Sequence, residues 1–79
     1  MVSQSFDIQL NVINLRCPMP LLKTKQALSS MTAGQVIKVL CTDAGSWRDI
    51  PAFIDLTSHT LLSSEQRDEQ YVFLIKKGD

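Results

Sequence analysis

The chain is expected to fold as an α+β two-layer sandwich, βαβαββ in order, with two helices packed on one face of a four-stranded mixed sheet. Three observations lead there. Apolar residues follow a strand pattern in four stretches and recur at helical spacing in two. A strand–helix–strand crossover makes the first two strands parallel. A polar connection joins the last two strands as a hairpin. The 79 residues are expected to form one domain, 1–79. A chain of this length buries about 60–65% of its unfolded surface, enough for one modest core without a deep cleft.

The elements follow in order. Phe6-Asp7-Ile8-Gln9-Leu10-Asn11-Val12 alternates apolar and polar, so Phe6, Ile8, Leu10 and Val12 should face the core. After Cys17-Pro18-Met19-Pro20 comes a helix ending near Met31, with Leu21, Thr24, Ala27, Leu28 and Met31 on one face. Lys23 and Lys25 flank that stripe and Leu22 falls outside it. Gly34 suits a left-handed residue where the helix stops. Gln35 to Cys41 is a β-branched, apolar strand, with Ile37, Val39 and Cys41 on one face and Val36, Lys38 and Leu40 on the other.

A second helix reaches about Thr57, with Trp47, Ile50, Phe53, Ile54 and Thr57 at helical spacing. Two starts fit it. Ser46 and Asp49 form a capping box, or Asp49 is the N-cap and Pro51 sits in the first turn. A loose turn from Ser46 and a regular helix from Asp49 fit both. Thr60–Glu65 and Tyr71–Lys76 are the hairpin strands, joined by the polar residues 66–70. Val36, Leu40, Val72 and Leu74, beside Lys38 and Lys76, should form the open sheet face.

Composition narrows the function. Eight basic and eight acidic residues cancel, which argues against stable nucleic-acid binding, where phosphate neutralisation supplies much of the affinity. Met1 to Ser5 has no basic or apolar signal region, and no apolar run approaches the roughly 18 residues of a spanning helix. A cytoplasmic protein without membrane contact is expected, with its two cysteines reduced. Cys17 and Cys41 are not a C-x-x-C pair, and with one histidine they fall short of a closed zinc site.

Chemistry points to Cys17. With Cys17 as N-cap, Pro18 is the first helical residue and Pro20 the third, where a missing N–H costs nothing. The free N–H groups of the first turn, that of Met19 among them, should gather near the sulfur. The helix dipole favours an anion there, a recognised way to lower a cysteine pKa. Arg16 would add positive potential. Cysteine is a poor cap, and a broken local rule often marks a functional site. The plain alternative is a small buried hydrophobe, which is the expected role of Cys41. His59 has no evident tie to Cys17, so a hydrolase lacks its base. What remains is a lone nucleophile that accepts a group and passes it on, with persulfide among the reversible forms.

Leu15-Arg16-Cys17-Pro18-Met19-Pro20, Gly34, Asp43 and Arg48-Asp49-Ile50-Pro51-Ala52-Phe53, with Tyr71 to Gly78, resemble the TusA family of sulfur carriers, also called SirA-like proteins. The resemblance spans almost the whole chain. It implies the same βαβαββ fold and a persulfide on Cys17, with no other cofactor and no metal. It implies a cysteine desulfurase as donor and a sulfur relay protein as acceptor. The sulfur would end as the 2-thio group of the tRNA wobble uridine. Relatives serve thiosulfate use, sulfur oxidation, selenium handling or molybdenum-cofactor synthesis. Asp43 falls where an acidic loop residue faces the site, and Arg16, Pro18, Met19 and Pro20 support it. Leu22, Lys23, Lys25 and Arg48 are candidate docking residues. Asn11 and Asn14 stand where the family usually has Asp and Gly, and Ser29 where a basic residue is usual. Asn tolerates the left-handed region that the turn requires.

Two other classes stand beside the carrier. One is a regulatory or RNA-binding module without thiol chemistry, since fold alone does not fix function. The other is a redox-sensing thiol protein, which needs a Cys17–Cys41 or mixed disulfide. A carrier that presents one sulfur to several partners is expected to be a monomer.

Overall fold

The computed structural model describes residues 5–79. The signal-peptide expectation for Met1 to Ser5 therefore rests almost wholly outside the described residues. Six elements follow in the expected order: β1 (Ile8–Val12), α1 (Met19–Ser29), β2 (Val36–Cys41), α2 (Ser46–Asp55), β3 (Thr60–Arg67) and β4 (Gln70–Lys76). The sheet order is β1-β2-β4-β3. β1 runs parallel to β2, and β4 is antiparallel to both β2 and β3. β2 and β4 are thus the central strands.

The period-two pattern of β2 translates directly into burial. Ile37, Val39 and Cys41 are sealed, while Val36, Lys38 and Leu40 are half-buried. Phe73 and Ile75 of β4 join the sealed face. Leu28 of α1, Met31 just after it, and Ile50 and Ile54 of α2 pack on it in one cluster. Thr24 is buried among them, with its hydroxyl donating to Pro20 O at 2.8 Å. A buried hydroxyl that closes on its own helix avoids the cost of an unpaired polar group.

The boundaries differ in ways that polar side chains explain. β1 begins at Ile8, not Phe6. The Asp7 N–H donates to Val36 O, and Asp7 Oδ2 accepts from Val36 N–H, both at 2.8 Å. Phe6 is left exposed, and Lys38 Nζ lies 5.1 Å from its ring centre. α1 stops at Ser29, short of Met31. The Ser29 and Ser30 hydroxyls take the carbonyls of Gln26 and Ala27 there. Gly34 does adopt a left-handed φ of 93°, but in the turn before β2.

α2 is continuous from Ser46, ends at Asp55 and carries Pro51 inside it. No loose first turn precedes Asp49, whose N–H donates to Gly45 O at 2.9 Å. Thr57 lies just beyond the helix, its hydroxyl on Ile54 O. The hairpin strands are longer than expected, because Arg67 pairs with Gln70. Only Asp68 and Glu69 turn the chain, Asp68 with a positive φ. A register shift between Leu61 and Ser63 leaves Leu62 exposed.

Candidate functional site

Two chain segments meet at one end of the sheet. One leads from β1 into α1, the other from β2 into α2. In the first, Asn11 Oδ1 accepts from the Ile13 N–H at 3.0 Å. The amide oxygen thus supplies the acceptor that an aspartate would. Asn14 takes a φ of 71°, the left-handed conformation expected of it, and its N–H donates to Thr42 Oγ1 at 3.0 Å. This bond ties the first segment to the second and sets where Cys17 lies.

Cys17 is exposed, and its peptide bond to Pro18 is cis. Its place in the helix differs from the expectation. Pro18 is the N-cap, so Met19 and Pro20 are the first two helical residues. The first helical bond runs from the Leu22 N–H to Pro18 O at 3.0 Å. The Met19 N–H is also not free for an anion, since it donates to Arg16 O at 2.8 Å. Residues 16–19 form a turn of their own, which sets the sulfur one residue ahead of the N-cap. Pro20 is buried, whereas Pro18 and Met19 are exposed.

The electrostatics differ too. Cys17 Sγ donates to Asp49 Oδ2 at 3.8 Å. The thiol is pushed up from its ordinary value, not down. Thinned hydration of the sulfur is the main cause, followed by the charges of Asp49 and Asp43 and by the hydrogen bond to Asp49. The free cysteine is thus held as a thiol. The helix-dipole expectation fails because the sulfur precedes the helix and faces carboxylates.

Asp43 shapes the second segment. Its Oδ2 accepts from both the N–H and the hydroxyl of Ser46, each at 3.0 Å. It therefore holds the first N–H of α2 and the buried Ser46 hydroxyl from two residues ahead of the N-cap, Gly45. The expected Ser46–Asp49 capping box is absent because the Ser46 hydroxyl turns back to Asp43, leaving Asp49 free to reach Cys17. Gly45 lies between the three groups. A Cβ placed on it would come 3.2 Å from Asp43 Oδ2, 3.9 Å from Asp49 Oδ2 and 4.0 Å from Cys17 Cβ. A side chain there would press on the Asp43 carboxylate and touch Asp49 and Cys17. Asp49 and Gly45 carry no site role in the motif reading. The signal for Asp49 was its place in the Arg48-Asp49-Ile50-Pro51 stretch.

Arg16 lines a shallow cleft of about 600 Å³ with Asn14, Leu15, Thr42, Asp43 and Ala44. Arg48 is largely exposed, with Nε 3.9 Å from Asp49 Oδ1. An exposed pair at that distance is weak. Leu15, Met19 and Leu22 are exposed apolar side chains of the Cys17 loop and the start of α1. Lys23 is exposed on α1. Lys25 Nζ sits 4.9 Å from the Phe53 ring centre, a contact between the helices worth about 0.5–1 kcal/mol. Among the described residues, no group of three His, Cys, Asp or Glu gathers to hold a metal ion.

Two further residues take structural roles. Cys41 is sealed in the core, and its thiol is pushed up to about 11, chiefly by burial. His59 Nδ1 accepts the Gly78 N–H at 2.9 Å and fastens the C-terminal segment.

Comparison with known proteins agrees with this arrangement. Residues 8–77 match the family model described as sulfurtransferase TusA. The chain belongs to the TusA family. It is 42% identical over 73 residues to the sulfur carrier protein TusA of Allochromatium vinosum, covering 92% of this chain and 96% of the relative. A SirA-like protein from Desulfitobacterium hafniense superposes with a TM-score of 0.81 at 21% identity, over 92% of this chain and all of that one. The TusA fold is therefore present here, and the family is one of sulfur carriers.

Proposed function

We propose that this chain carries sulfane sulfur as a persulfide on Cys17 and relays it for 2-thiolation of the tRNA wobble uridine. The observation that supports it is an exposed, unpaired cysteine in a TusA-family chain, at a junction braced by Asn14, Pro18 and Pro20. The other cysteine is sealed, so a single sulfur is offered to partners. Loading moves one sulfur atom. Cys17 Sγ attacks the terminal sulfur of a donor persulfide, the donor S–S bond breaks, and the donor cysteine leaves with the electron pair and takes up a proton. An acceptor thiol later removes that sulfur in the same way. No cofactor enters either step.

The donor proposed is a cysteine desulfurase and the acceptor a sulfur relay protein. The carrier works as a cytoplasmic monomer. Leu15, Met19 and Leu22 offer exposed apolar contact in the Cys17 loop and the start of α1. Lys23, Lys25 and Arg48 supply charge around them. Arg16 and Asp43 line the same shallow cleft.

The test is delivery. Desulfurase, cysteine, relay protein and thiolating enzyme are combined with unmodified tRNA, with and without this chain, and 2-thiouridine is counted. The chain should raise its formation, and Cys17→Ser should not. Equal yields with and without the chain would refute tRNA as the destination.

A further inference from the structure

Two carboxylates beside a cysteine are a poor way to keep a thiolate ready. Cys17 Sγ donates to Asp49 Oδ2 at 3.8 Å. Asp43 Oδ2, Asp49 Oδ2 and Cys17 Cβ all lie within 4.0 Å of the point where a side chain on Gly45 would begin. The charged groups around the sulfur come from three segments. Asp43 precedes α2, Asp49 and Arg48 lie on α2, and Arg16 adjoins Cys17 in the loop before α1. Arg48 reaches only the far oxygen of Asp49. Arg16 makes no ion pair among the described residues. The charges that act on the sulfur are those of Asp49 and Asp43.

Resting on the carrier reading, we propose that Asp49, backed by Asp43, latches Cys17 as an unreactive thiol in the free carrier, and that a cationic side chain of the docked donor takes those carboxylates and frees the sulfur as a thiolate. The latch protects the carrier between partners. A neutral thiol neither attacks electrophiles nor oxidises as a thiolate does. Docking removes the cause of protection where sulfur is to be received. On release, the Cys17 proton passes to solvent. The thiolate bonds to the terminal sulfur of the donor persulfide, the donor S–S bond breaks, and the departing donor sulfur takes a proton from solvent. One sulfur moves: Cys17 rises to the persulfide level as the donor returns to a thiol, so no outside oxidant is needed. The raised affinity of Cys17 for its proton agrees with this. A cation pairing with both carboxylates is the complement that the charge at the site calls for.

The experiment follows the rate of iodoacetamide alkylation against pH on the full chain, reading the Cys17 and Cys41 peptides separately. The reagent is uncharged, so local charge does not steer it. The Cys17 midpoint should lie above that of an unperturbed thiol. Asp49→Asn should move it down and speed alkylation near neutral pH by about threefold or more, since one pKa unit is about tenfold in thiolate. Asp49→Glu should restore most of the protection. Raised salt should lower the wild-type midpoint, a reading that needs no variant to fold. An oligo-arginine peptide should speed alkylation of the wild type and have little effect on Asp49→Asn. Unchanged profiles in Asp49→Asn and in salt overturn the latch. No acceleration by oligo-arginine, or the same acceleration in both proteins, overturns its release by a cation. Persulfide loading is not measured here, so the carrier reading stands or falls separately.

Discussion

Cys17 and Cys41 show how position turns one residue type into two. Cys41 ends a central strand, inside the cluster built by Ile37, Val39, Ile50 and Phe73. Cys17 sits in a turn ahead of a helix, exposed and facing Asp49. Both thiols hold their protons more firmly than a free cysteine. For Cys41 burial is the chief reason, and nothing outside can relieve it. For Cys17 thinned hydration is joined by two carboxylates that a partner can reach. A sulfur made inert by packing is structural, whereas one quieted in part by surface carboxylates stays open to a partner's charge.

The sharpest way to break that comparison is to exchange the two roles. Cys17→Ser should abolish persulfide formation after incubation with a desulfurase and cysteine, whereas Cys41→Ala should still load. Alkylation of the native chain should mark Cys17 alone, and Cys41 should react only after denaturation. Cys41→Ala should cost about 1 kcal/mol in urea unfolding, because it empties part of a sealed site. Cys17→Ser should change stability by about 0.5 kcal/mol or less, as exposed positions usually do.

Asp43 sharpens the contrast further. Asp43→Ala should lose about 1 kcal/mol or more by leaving the buried Ser46 hydroxyl without its partner, and it should also ease deprotonation of Cys17. Asp43→Asn keeps an acceptor for Ser46, so its stability loss should be smaller while its effect on Cys17 remains. Chemical unfolding and the alkylation profile separate the two consequences.

The smallest expected effect lies away from the site. Burial first, and then the charge of Lys77, hold the His59 pKa below its ordinary 6.5. The unfolded chain therefore binds the proton more readily. The stability from this residue is fully present above about pH 6.5 and is lost as pH falls through the folded value. Unfolding followed across that range should show a slope that shrinks in His59→Gln.

Much of this was legible in the sequence because apolar period writes burial directly. The alternation in Gln35 to Cys41 named the sealed face of β2, and the stripe of α1 named Thr24 and Leu28 as buried. The left-handed turn at Asn14 was legible too, since few other residues accept it. Less legible was whatever depends on a polar side chain choosing between partners. Asp7 bonds the backbone of Val36, which left Phe6 outside. Ser46 turns to Asp43, which freed Asp49 for Cys17. The Met19 N–H closes a turn on Arg16, so no ring of free amides surrounds the sulfur. Helix-start reasoning singled out the exposed cysteine but gave its pKa shift the wrong direction. Neighbours 26 and 32 residues further along add to that shift.

One experiment weighs the whole account. The full chain, its Cys17→Ser variant and its Cys41→Ala variant are each incubated with a cysteine desulfurase and cysteine, then digested and weighed peptide by peptide. The wild type and Cys41→Ala should gain one sulfur atom, about 32 Da, on the peptide holding residue 17. A gain that persists in Cys17→Ser, or a wild-type chain that gains nothing, contradicts it.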